Sequence, residues 1–119
     1  MNRLLVKITC GAEAPERYSQ AVTVAATALT AGAEVSVWLT GEATYLAVPG
    51  RAEEFVLPYA APLAELRDTL LAGAQVTVCT QCAARREIAE ADLLPGARIA
   101  GAASFVEEAL AEGTQALVY

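Results

Sequence analysis

The sequence contains no histidine. That removes the commonest general base near neutral pH and the commonest nitrogen ligand for metals. It has no basic cluster beyond Arg85-Arg86, and its net charge is −6, which argues against nucleic acid as a partner. No apolar run reaches the roughly 18 residues of a membrane span, because charges, prolines and glycines interrupt every hydrophobic stretch. Met1-Asn2-Arg3 leads into only a short apolar segment before Lys7, too brief for a signal peptide. Cysteine is scarce. Three thiols are an odd number, which fits a reducing, cytoplasmic setting better than a disulfide framework. Without histidine they also fall short of the four ligands of a structural zinc site, so neither a metal nor a cofactor is expected.

What is present is apolar and rich in alanine. Hydrophobic residues make up 55% of the 119 positions, and residues 1–119 read as one domain. A chain of this length buries a core unaided. The apolar excess predicts that some of this surface is buried between subunits of a homo-oligomer.

Residues 4–9 read as a buried first strand, followed by the small loop from Cys10 to Ala14. Pro15 suits the first position of a helix, which runs to about Ala31 with Tyr18, Val22, Ala25 and Leu29 on one face; Gly32 stops it. An internal echo follows. Ala31-Gly32-Ala33-Glu34-Val35-Ser36-Val37-Trp38 matches Ala72-Gly73-Ala74-Gln75-Val76-Thr77-Val78-Cys79 nearly position by position. A weaker copy closes the chain at residues 112–119. Each copy is a helix end, a glycine, a short turn and a strand. The alternation predicts an α/β fold whose sheet is mainly parallel and covered by helices.

Pro62 opens another helix, with Leu63, Leu66 and Leu70 on one face. Ser104-Phe105-Val106-Glu107 reads as a capping box opening the last helix, which ends at Gly113, and a short strand near 98–100 precedes it. Residues 41–61 are punctuated by glycine and proline. A short helix near 42–47 and a loop or extended piece near 53–58 are expected there. Glu13 and Glu16 read as helix-dipole partners, Glu107-Glu108 as a solvated helix face, and Trp38, Tyr45, Phe55 and Tyr59 as core or subunit interface.

The chemically pointed feature is Cys79-Thr80-Gln81-Cys82. The echo puts Cys79 at the carboxyl end of a central strand, where ligands and reacting groups gather in open parallel sheets. Thr80 is expected to cap the helix that follows, through about residues 86–88. A thiol at a helix N-terminus has its pKa lowered, and Arg85 or Arg86 could add to that by folding back. Cys82, one turn on, is close enough to attack a disulfide or persulfide at Cys79, which suits sulfur transfer or thiol–disulfide exchange. Buried packing cysteines are the structural alternative. Cys10 also ends a strand. It and Gly11 are candidates to line the same crevice as Thr80, although packing is the more common role of such a cysteine.

The whole pattern resembles the DsrE/DsrF-like family, which includes sulfur-relay subunits of the TusD type. The residues that carry the resemblance are the strand ending at Cys10-Gly11, the long alanine-rich helix, Gly32-Ala33-Glu34-Val35-Ser36-Val37-Trp38-Leu39 and Gly73-Ala74-Gln75-Val76-Thr77-Val78-Cys79-Thr80-Gln81-Cys82-Ala83-Ala84-Arg85-Arg86. The short strand at Arg98-Ile99-Ala100-Gly101 and the final helix and strand complete it. The resemblance implies a three-layer α/β/α fold around a parallel sheet of about five strands, assembled as trimers or hexamers. It also implies a persulfide carried on Cys79, with sulfur donor and acceptor proteins as partners. Cys82 lies outside the strict relay motif.

Overall fold

A computed structural model describes residues 2–119. Five strands form one sheet: β1 (Arg3–Ile8), β2 (Glu34–Leu39), β3 (Gln75–Cys79), β4 (Ala97–Ala100) and β5 (Thr114–Val118). Their order is β4-β3-β2-β1-β5 and every pairing is parallel. The helices are α1 (Pro15–Thr30), α2 (Arg51–Glu54), α3 (Leu63–Gly73), α4 (Thr80–Arg85) and α5 (Ala102–Ala109), with a 3-10 helix at Gly41–Ala47. A parallel pair needs a crossover connection, and a helix follows each of the first four strands.

The pleat sorts the sheet residues onto two faces. Val6 and Ile8, then Val35, Val37 and Leu39, then Val76 and Val78, pack with Tyr18, Ala21, Val22 and Ala25 of α1 and Leu63 and Leu70 of α3. This is the dry core. The alternate residues Lys7, Trp38, Thr77 and Arg98 are register partners across β1, β2, β3 and β4 and share the opposite face. There α5 makes the third layer, with Phe105 edge-on to Trp38 at a centroid distance of 5.4 Å.

The helix spacing and Gly32, which sits at φ +99°, hold as read from the sequence. Four local readings do not. The last helix starts at Ala102, with Gly101 as its N-cap, so Ser104 lies inside the first turn and forms no capping box. The backbone of Gly101 already supplies the extended cap conformation at the end of β4, and its carbonyl takes the N–H groups of Ser104 and Phe105. That helix also ends at Ala109, before Gly113. Residues 51–54 are a helical turn where a loop or extended piece is expected from 53, because Gly50 in the left-handed region (φ +84°) opens a helix there. Glu108 is only 15% exposed rather than solvated, and it accepts from Ser36, Trp38 Nε1 and Arg98.

The 51–54 turn is tied to α3 by charge. Arg67, buried on α3, forms a bidentate pair with Glu53 at 2.8 Å for both bonds. Those hydrogen bonds hold the Glu53 carboxyl at about 2, well below its ordinary 4.5. A carboxyl whose folded pKa is depressed stabilises the fold above its unfolded pKa, and that contribution is lost as pH falls toward the folded value. Thermal melts of wild type and Glu53→Gln are therefore expected to converge as pH falls from 4.5 to 2, with wild type the more stable at neutral pH. Parallel melting curves over that window would contradict the pairing.

Candidate functional site

The carboxyl ends of β1, β2 and β3 come together, and three loops leave from them. The first loop carries Cys10 and Gly11, the second Thr40, Gly41 and Glu42, and the third is the cysteine turn. Gly11 is pressed against the second loop. A Cβ there would lie 2.7 Å from the Glu42 carbonyl oxygen, so only glycine permits the approach. The second loop then touches the third. The Gly41 N–H donates to Cys82 Sγ at 3.3 Å, and Arg86 Nε donates to Glu42 at 2.9 Å. Arg86 also donates to the Cys82 carbonyl at 3.2 Å.

Cys79 is the last residue of β3 and itself the N-cap of α4. Thr80 is therefore the first helical residue, exposed, and does not cap; the thiol occupies the position where an N-cap hydroxyl would sit. The N–H groups of Gln81 and Cys82 are turned toward that sulfur without forming a close cap bond to the neutral thiol. Their effect falls on the anion. Partial burial pushes the Cys79 pKa up, but it is outweighed by the Cys82 N–H, the Cys82 thiol, the Gln81 N–H and the Lys7 ammonium. The thiol ends below its ordinary value. Cys79 and Cys82 are both partly accessible.

Cys10 is different. It is 3% exposed and belongs to the dry core. Burial, and secondarily the charge of Glu13, raise its pKa against the opposing influence of Arg17. None of these neighbours is among the groups acting on Cys79. Gly11 therefore joins the turn through Glu42, whereas Cys10 packs away from it against the side of α1. Glu13 accepts from the Gly11 N–H at 2.6 Å and so fixes the first loop.

Two contributors escape sequence reasoning. Lys7 acts on Cys79 from two strands away, a relation only the strand order reveals. Glu42 meets Arg86 across 44 positions of sequence and pairs with that guanidinium, which is not among the groups acting on Cys79. No signal in the sequence marks either. Among the described residues, no three histidine, cysteine, aspartate or glutamate side chains group to hold a metal, and no helix is long and apolar enough to cross a membrane.

Comparison with known proteins supports the architecture. The YchN protein of E. coli superposes with a TM-score of 0.83 at 15% identity, covering 100% of both chains. The protein MTH1491 of Methanobacterium thermoautotrophicum, described as of unknown function, superposes with a TM-score of 0.75 at 10% identity over 100% of both chains. Identities this low speak to fold alone. Among curated proteins, none matches the sequence. The sequence profile of the DsrE/DsrF-like family, however, matches residues 2–119, and the chain belongs to that family.

Proposed function

We propose that this protein is a sulfur carrier that forms a persulfide on Cys79. The observation behind the reading is the placement of Cys79 as a partly accessible N-cap thiol with a lowered pKa. In the loading step the Cys79 thiolate attacks the outer sulfur of a donor persulfide, R–S–SH. A new S–S bond forms at Cys79 and the donor S–S bond breaks. R–S⁻ leaves with the electron pair, giving Cys79–S–SH. Unloading is the same reaction with an acceptor thiolate as attacker, so no external oxidant or reductant enters.

Cys82 supports this cycle. Its thiol helps to stabilise the Cys79 anion, and its own sulfur is anchored by the Gly41 N–H. Intact mass after incubation with a small-molecule persulfide is the test. The reading requires a gain of one sulfur, lost again on adding an acceptor thiol; no gain refutes it.

The reading extends to assembly. Val106 and Leu110 on α5, and Val118 on β5, the register partner of Lys7 on the same face, are exposed, at 51%, 80% and 65%. No residue of α5 is buried, so the third layer is thin. A second copy of the chain covering this face accounts for these apolar side chains. Light scattering is expected to give a mass at least twice 12.4 kDa; a monomer at micromolar concentration would contradict the assembly. Three free thiols fit a carrier that works in a reducing compartment such as the cytoplasm.

A further inference from the structure

The charged groups on the elements around Cys79 largely cancel. Glu42, on the 3-10 helix, is paired with Arg86 of α4 at 2.9 Å. Arg98 of β4 is paired with Glu108 of α5 at 3.1 Å. Arg85 of α4 and Glu107 of α5 are exposed, where water and salt screen them. Cys82 contributes a thiol. Lys7 of β1 is the remaining charge. It is half-buried, and among the described residues it forms no ion pair.

The fold puts this ammonium on the sheet face that carries Cys79. Lys7 is the register partner of Trp38, and Trp38 of Thr77, so Lys7 shares a face with Thr77 and Cys79, which follows two residues later on the same strand. The Lys7 Nζ stands 5.0 Å from the centre of the Phe105 ring, within range of a cation–π contact. Phe105 is in turn fixed edge-on against buried Trp38. Trp38 is held by Glu108, which also binds Ser36 and Arg98. A long flexible side chain is thus kept on the α5 face by a clamped ring.

We propose that Lys7 is the counter-charge of the Cys79 thiolate, and of the persulfide anion once formed, with Phe105 as the positioning residue that holds its ammonium there. The persulfide clause rests on the sulfur-carrier reading; the thiolate clause does not. An ammonium near the sulfur favours the charged form, so its removal raises the pH at which the thiol ionises.

The pH profile of iodoacetamide alkylation at Cys79, read by peptide mass, tests this in wild type, Lys7→Met, Lys7→Arg and Phe105→Leu. At pH 7 Lys7→Met is expected to react about fivefold more slowly, as a modest loss of through-space attraction requires. The rates should converge at high pH, where every variant is ionised. Lys7→Arg restores the wild-type profile, and Phe105→Leu moves it in the same direction as Lys7→Met by about twofold. A purely structural role would slow or speed the reaction equally at every pH. Superimposable profiles for wild type and Lys7→Met overturn the proposal; should that variant not fold, superimposable profiles for wild type and Phe105→Leu do so. The sulfur-loading assay is run on the same samples. Loading that persists with superimposable profiles sinks the Lys7 assignment and spares the carrier. A Lys7-dependent profile without loading in wild type does the reverse.

Discussion

Cys79→Ser is expected to abolish sulfur loading, leaving no more label than a protein without an accessible thiol. Cys82→Ser is expected to retain it at a rate reduced about fivefold at pH 7, the size of a modest shift in thiolate fraction. The asymmetry follows from the turn. Cys79 is the atom toward which the Gln81 and Cys82 N–H groups are turned and on which Lys7 acts. The Cys82 sulfur instead accepts from Gly41 at 3.3 Å and contributes to Cys79 rather than replacing it. A serine hydroxyl at position 79 can take the N-cap role but cannot ionise near neutral pH, so the fold survives while the nucleophile is lost. Cys10→Ser leaves loading unchanged, because that thiol is buried with a raised pKa. Quantifying one-sulfur adducts of all four proteins by intact mass decides the order.

Glu108→Ala is expected to cost about 3 kcal/mol of stability. The carboxylate accepts from Ser36, from Trp38 Nε1 at 3.1 Å and from Arg98 at 3.1 Å. Ser36 and Trp38 are 3% and 2% exposed, so water cannot replace the lost acceptor. A buried donor left without a partner costs about 1–3 kcal/mol. Two such donors, together with a weakened α5 layer, give the expected sum. Urea titration checks it, with Glu108→Gln intermediate because an amide oxygen still accepts. A change within about 0.5 kcal/mol, the usual range for a surface substitution, would show that the network does not anchor the helix.

The sheet was legible because its strands advertise themselves. Val35, Val37, Val76 and Val78 recur in the echo behind a helix end and a glycine, and the two copies are adjacent parallel strands in the structure. The echo aligns Val37 with Val78, whereas the sheet pairs Val37 with Val76, a displacement of two that keeps each residue on its face. Cys79 at the strand end was legible for the same reason. Its surroundings were not. Lys7 comes from β1 and Gly41 and Glu42 from the 3-10 helix after β2, and their meeting depends on the strand order and on the closeness that Gly11 permits. The misread caps have a common cause. Ser104 and Thr80 carry the side chains that favour caps, but Gly101 and Cys79, each at the end of a strand, already hold the extended backbone that a cap requires. Glu108 looked solvated because half of a Glu-Glu pair is; its partners, Ser36 and Trp38, are some 70 residues away.

Site mapping tests the central claim most directly. The native protein is loaded with a persulfide donor, its free thiols are blocked, and the digest is read for the peptide that carries the extra sulfur. The account predicts that sulfur on Cys79, with Cys82 and Cys10 recovered as blocked thiols. Sulfur on Cys82 or Cys10, or only a Cys79–Cys82 disulfide with no sulfur gained, would contradict it.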